Sequence, residues 1–321
     1  MAKKTKKWLI LASVLVILGA IIFGGAMMGM NWDFSKLSTA QYETQEHIPA
    51  GNYQNIAIDT DTADITFVPS EGKETKVVCY EQKNAKHAVS VADGTLTIQV
   101  KNNKKWYEYI GITFSVPKIT VYLPVGEYGD LTVSSDTGRV QIPGDFSFAS
   151  VDIGVSTGRI QLGASASKNM KIKTSTGDIT LENLSVGALE LSVSTGRITV
   201  LNADCKGDMK VKVSTGKTDL TDVKCQNFLS TGSTGGLSME NVIATGAFHI
   251  ERDTGDVDFK KCDAAEIKVE TDTGHIRGSL LTEKVFIAET DTGRVEVPHT
   301  ASGGKCELTT DTGNIKIEII K

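Results

Sequence analysis

The triplet Asp-Thr-Gly, which carries the catalytic carboxylates of aspartic proteases, occurs in this chain at Asp136, Asp253, Asp272, Asp291 and Asp311. Such an enzyme needs two aspartates brought together, because adjacent carboxylates that cannot both ionise share one proton. Here the same position is Ser in five further copies, Ser156, Ser175, Ser194, Ser214 and Ser233. A position filled at every repeat serves the repeat, so the triplet reads as turn chemistry. A second chemistry is calcium binding. If the copies stack, Asp253, Asp272, Asp291 and Asp311 form a column of carboxylates about 4.8 Å apart, close enough to share a hard cation. His275, Arg294 and Asn314 follow the glycine in three of these copies and would offset the repulsion without a metal. The glycine-rich nonapeptide of calcium-binding β-rolls is missing. The four aspartates are therefore calcium candidates weighed against solvated turn residues.

Other reactive side chains are sparse. Cys205 and Cys225 each lie nine residues after a triplet glycine, which predicts one directly above the other as stacked free thiols; a disulfide is the alternative. Cys262 and Cys306 fall at apolar positions and are expected to pack in the core, and with Cys79 the count is five, an odd number with no CxxC spacing. His47, His87, His249, His275 and His299 share no phase, so no histidine cluster for metal or catalysis is visible. Serine is abundant, but no Gly-x-Ser-x-Gly elbow occurs. No catalytic residue and no cofactor are expected.

These residues hang on a repeat. The triplet glycines stand at Gly138, Gly158, Gly177, Gly196, Gly216, Gly235, Gly255, Gly274, Gly293 and Gly313, always 19 or 20 residues apart. Seven and five residues before each glycine sit apolar pairs such as Met170 and Ile172, Leu189 and Leu191, or Phe248 and Ile250. Two and four residues after it come Ile179 and Leu181, Ile198 and Val200, Val295 and Val297, or Ile315 and Ile317. A further apolar position seven residues after the glycine holds Leu184, Ala203, Val223, Val242, Cys262 and Leu281. A period of two means strands with one face buried. No copy can bury that face alone, and stacking the copies solves the problem. The expected fold is all-β, a parallel, β-helix-like solenoid of about 19-residue coils, with each Gly at a crowded corner and the triplets marking successive rungs. The coil containing Ser230 and Gly232 is the most irregular, since both replace larger apolar residues.

Upstream, Ile56, Ile58, Ile65 and Phe67 flank Ala63 at the repeat's offsets, and His87, Val89, Leu96 and Ile98 flank Gly94. Residues 47–129 are thus expected as early coils interrupted by excursions, including Trp106, Tyr107 and Tyr109, that cap residues 130–321. Residues 31–46 are polar and unpatterned and predict a tether. At the start, Lys3, Lys4, Lys6 and Lys7 precede an uncharged apolar run from Trp8 to about Met30. That predicts a cytoplasmic tail over 1–7, one transmembrane helix over 8–30 and an exported body at the cell membrane. A signal peptide cleaved near Gly24-Gly25-Ala26 is the competing reading, and exports the body as well. Gly25 and Gly29 form a GxxxG pair, a weak pointer to helix pairing. The net charge of -5 is spread without a basic stripe, which argues against nucleic acid as a partner.

The Ser/Asp-Thr-Gly-x-Ile/Val-x-Leu/Val repeat, preceded by the Lys-rich apolar start and the strand from Ile119 to Pro124, resembles the putative-adhesin family of β-strand-repeat proteins over about residues 50–321. The family is a domain of unknown function, common in Gram-positive bacteria. Some members resemble products of cell-envelope stress operons. The resemblance implies an envelope-associated structural or sensory role; the anchor, with a body whose recurrent residues all have a structural task, points to a non-enzymatic, membrane-anchored envelope protein with cell-wall polymer, a peptide or a membrane protein as partner. Two alternatives remain: a carbohydrate-active β-helix enzyme acting on wall or extracellular polysaccharide, and a modulator of a membrane stress sensor.

Overall fold

The computed structural model describes residues 2–33, 41–72, 74–102 and 115–320. It opens with one helix, α1 (Ala2–Gly29). Residues Thr5–Gly29 are long and apolar enough to cross a membrane, and large side chains from Trp8 to Met28 lie exposed along it. At about 1.5 Å per residue, those residues match a bilayer's hydrocarbon thickness.

The rest is β-structure in two main walls facing each other across an apolar core. The chain begins with β1 (Tyr42–His47), β2 (Asn55–Thr62), β3 (Asp64–Ser70), β4 (Lys76–Gln82), β5 (Ala85–Ala92), β6 (Thr95–Asn102), β7 (Lys118–Pro124) and β8 (Gly126–Thr137). From β8 onward each coil places one segment, ending at the triplet, on the first wall and one, following the glycine, on the second. In-register parallel pairing runs from β2 to β8 and then through Phe146–Thr157, Ser165–Thr176 and their successors. The columns inferred from the repeat are present: Met170, Ile172, Leu189, Leu191, Ile179, Leu181, Ile198, Val200, Phe248 and Ile250 are all buried. A third inward column, three residues before each glycine, holds Val155, Thr174, Val193 and Val213.

Two corners make the coil. At the first, the glycine of one rung donates its N–H to the threonine carbonyl of the next, as Gly177 does to Thr195 at 2.9 Å and Gly196 to Thr215 at 3.0 Å. A Cβ on Gly196 would fall inside the carbonyl of Gly177, and its φ of 148° already disfavours any other residue. The second corner lies six residues on, where Asn183, Asn202, Asp222, Asn241 and Lys261 adopt φ between 52° and 55°. Asn and Asp tolerate this left-handed conformation best. The Asn202 amide donates to Asn183 Oδ1 at 2.8 Å and the Asn241 amide to Asp222 Oδ1 at 2.6 Å, tying adjacent rungs.

The far end departs from the expected order. Glu266–Thr273 pairs not with Lys284–Thr292 but with Gly304–Thr312, which in turn pairs with Lys284–Thr292. Gly274 donates to Thr312, and Gly313 to Thr292, so the rungs run 274, 313, 293. The later coil is inserted between two earlier ones. As outermost rung, the coil around Gly293 leaves Val295 exposed at 42% and Val297 only partly covered, although the repeat marks both as inward. Leu281, also expected inward, is 39% exposed; a register shift between Phe259 and Cys262 puts Leu280 in its place.

The near end also differs from a run of degenerate coils. Ala63 does serve as a rung, accepting Gly138 above it just as the later glycines stack, and its N–H donates to Thr137. Gly94, however, is no rung. With Asp93 it forms a two-residue turn of positive φ joining β5 and β6 as an antiparallel hairpin. β6 extends the first wall parallel to β2, and β5 follows it antiparallel. The second wall ends through β3, β7, β4 and β1, the last two pairings antiparallel. β1 (Tyr42–His47) takes up residues 42–46 of the stretch expected as tether, because its backbone completes the edge of β4. Trp106, Tyr107 and Tyr109, and residues 34–40 of the tether, lie outside the described residues.

Candidate functional site

The triplet ladder brings its aspartates into one exposed row, in the order Asp253, Asp272, Asp311, Asp291. The corner's side-chain bonds come from flanking residues. Asp178 Oδ1 accepts the N–H of Arg197 at 3.1 Å, and Asp256 Oδ1 that of His275 at 2.9 Å. Thr310 Oγ1 donates to the Gly274 carbonyl at 3.0 Å. The triplet's own Asp or Ser is exposed in these coils.

Cys205 and Cys225 stack in adjacent rungs, and all five cysteines are buried free thiols. Burial pushes Cys79, Cys205, Cys225 and Cys306 up to about 12 and Cys262 up to about 11. Outside β4, Cys205, Cys225, Cys262 and Cys306 line the core as inert neutral thiols. The histidines stay apart: His249 pairs with Glu251 at 2.7 Å, and His275 Nδ1 accepts from the Asn314 backbone at 2.9 Å. His87 turns inward, against Glu81 and Thr60.

The irregular coil has an internal cause. Arg252, at a column position, enters the interior with 4% exposure, and its Nη2 donates to Ser230 Oγ at 2.7 Å. Gly232 makes room, since a Cβ there would meet Arg252 Nη1. Burial lowers the guanidinium to about 10. Ser230 and Gly232 thus accommodate one buried cation and do not open a pocket.

A concavity of about 910 Å³ lies at the shoulder where the irregular strands meet the first rungs. Its floor is the segment between β1 and β2, with Asn52, Tyr53 and Gln54; Glu74 and Thr75 form one side and Tyr128 the other. The Tyr53 hydroxyl bonds Thr75 Oγ1, and the Tyr128 hydroxyl donates to the Pro124 carbonyl at 2.7 Å. Tyr128 packs on Phe148, with ring centroids 5.9 Å apart. Desolvation raises both phenols, Tyr128 to about 12, so they remain neutral. Gln54 accepts the N–H of Gly129, and Asn55 Oδ1 that of Asp130, locking the floor to β8. The lining offers phenol faces, amides and one carboxylate, Glu74. Glycoside hydrolysis needs a pair of carboxylates, which this wall does not supply. Sequence reasoning missed the cleft because its residues share no period.

A family model described as Toastrack DUF4097 matches residues 53–321, from the cleft floor through every rung. The chain belongs to this family. Within the solved structures, a putative lipid-binding protein of Parabacteroides distasonis ATCC 8503 is 16% identical, with a TM-score of 0.51 over 88% of this chain and 98% of that one. A putative adhesin of Parabacteroides merdae ATCC 43184 is 14% identical, with a TM-score of 0.50 over 75% of this chain and 97% of its own. At these identities the likeness shows the Toastrack fold and nothing further. No curated protein sequence matches the chain.

Proposed function

We propose that this Toastrack protein is a non-enzymatic, single-pass cell-envelope protein, its Lys-rich tail cytoplasmic and its rod outside, that grips a neutral polyhydroxylated polymer of the wall in the shoulder cleft. The observation that carries the reading is the cleft's lining. Neutral phenol rings and amides held on a rigid floor are the chemistry that stacks on and hydrogen-bonds to sugar rings. The rest of the rod supports it, because nearly every recurrent residue is committed to a column or a corner. The apolar helix supplies the anchor and the stacked rungs the reach, about 4.8 Å each.

The test uses the full chain in detergent, mixed with isolated wall polysaccharide and sedimented. Wild type is expected to co-sediment, and the exposed double substitution Asn52→Ala with Gln54→Ala to weaken binding at least tenfold while leaving the melting temperature unchanged. Equal retention of both proteins, or of neither, would overturn the assignment. Release of reducing ends from the polymer would instead establish the enzyme reading.

A further inference from the structure

The shoulder buries a second group of side chains, on the core side of the sheet, that apolar packing does not explain. β4 alternates so that Val77, Cys79 and Glu81 all point inward with 0% exposure. β5 lays His87 on them. Glu81 Oε2 accepts the His87 backbone N–H at 2.6 Å and lies 2.8 Å from His87 Nδ1. The other ring nitrogen, Nε2, is 2.9 Å from Thr60 Oγ1. Glu81 Oε1 is buried and has no hydrogen-bond partner among the described residues. A carboxylate oxygen sealed from water without a partner forfeits its hydration with nothing in return, so it calls for a ligand. One donor atom from each of Cys79, Glu81 and His87 lies within 4.8 Å of the other two.

The geometry points to a transition-metal site at Cys79, Glu81 and His87, taking a divalent cation of the zinc class on one sulfur, one oxygen and one nitrogen. The mixed donor set decides the class: a thiolate and an imidazole disfavour calcium and magnesium, whereas zinc accepts all three. Zinc bonds of about 2.0–2.3 Å place tetrahedral ligands roughly 3.3–3.8 Å apart, so the side chains need close by only about 1 Å. Glu81 Oε1 supplies the oxygen and His87 Nδ1 the nitrogen. Thr60 keeps Nε2 and fixes the ring, the outer-shell partner that a metal-binding histidine ordinarily has. The fourth position is left to water. The scaffold is firm, since Cys79 sits in register between Gln45 of β1 and Ile119 of β7. A metal here would pin the β4–β5 hairpin to Thr60 in the first rung.

The test refolds the full chain in detergent with Zn²⁺ or Co²⁺, removes free metal by gel filtration and counts what remains. We expect one metal per chain, a thiolate-to-cobalt charge-transfer absorption, and a melting temperature that falls by several degrees when a chelator is added. Cys79→Ser should abolish the cobalt band, and Glu81→Gln should weaken binding at least tenfold, whereas Cys205→Ser, a buried thiol elsewhere, should change neither. Failure of wild type to retain stoichiometric metal, or equal binding by Glu81→Gln, overturns the site and leaves a buried hydrogen-bonded pair. If Cys79→Ser does not fold, the wild-type cobalt spectrum and Glu81→Gln decide alone. None of these readouts depends on polymer binding.

Discussion

The regular ladder and the shoulder solve the same problem of burying one face of a sheet, with opposite means. In the ladder each rung is covered by a near copy of itself, so like meets like: Leu191 on Val211, Thr195 on Thr215, Gly196 on Gly216. At the shoulder the copies run out, and unlike strands cross, antiparallel as well as parallel. Uniform stacking leaves no room for a site, since a polar intruder must be accommodated by its neighbours, as Arg252 is by Ser230 and Gly232. Broken symmetry leaves a cleft on one side and a polar cluster on the other. In a repeat protein of this kind, chemistry is to be sought where the repeat stops.

That contrast can be broken most sharply with glycine. Gly196→Ala should cost at least about 3 kcal/mol, because the new methyl collides with backbone that has no room to move and the φ of 148° is strained as well. Gly94→Ala at the shoulder hairpin, with open space and a φ of 71°, should cost about 1 kcal/mol. Gly154→Ala, on a strand with nothing nearby, should be neutral within about 1 kcal/mol. Denaturant melts of the three variants check the order, and a tolerant Gly196 would show that rungs can part.

Alkali gives the next effect. A thiol raised to about 12 in the folded chain, against 9.0 when unfolded, keeps its proton on folding while the unfolded chain loses it. Stability is therefore full below pH 9 and falls as pH rises through the window up to 12, by about 1.4 kcal/mol per pH unit for each thiol. Replacing Cys205 and Cys225 together by Val should flatten the decline measured between pH 8 and pH 10.5. An unchanged slope would mean those thiols are already wet.

The smallest effect is expected from calcium. The row Asp253, Asp272, Asp311 and Asp291 is exposed. Millimolar calcium or chelator should shift the melting temperature of wild type by no more than about 1 °C, since exposed charges are screened. A larger shift that disappears in Asp272→Asn would restore the calcium reading.

Much of the ladder was legible because spacing and period survive in every copy: the glycines at 19 or 20 residues and the paired apolar offsets say both how long a coil is and which way each side chain faces. Order along the rod was not. Equivalent rungs are interchangeable partners, so nothing in Gly293 or Gly313 reveals which lies next to Gly274; the connecting segments decide. The Asn183, Asn202 and Asn241 corner carried a readable signal, Asn at one phase, that was overlooked because Asp222 and Lys261 interrupt it. The Cys79, Glu81 and His87 cluster left no signal at all. Its members meet across the tight turn between β4 and β5, and neither strand carries the repeat's spacing that would have marked the turn.

The inserted coil also dictates how the molecule must be completed. Residues 284–297 emerge before their inner neighbour, 304–319, and until that neighbour arrives they lack the edge on which they rest in the finished rod. Zippering from the near end therefore halts one step short, and the closing move is a keystone slid into a gap rather than a cap laid on top. Cutting the chain at residue 303 would then unseat two courses of the masonry, not one.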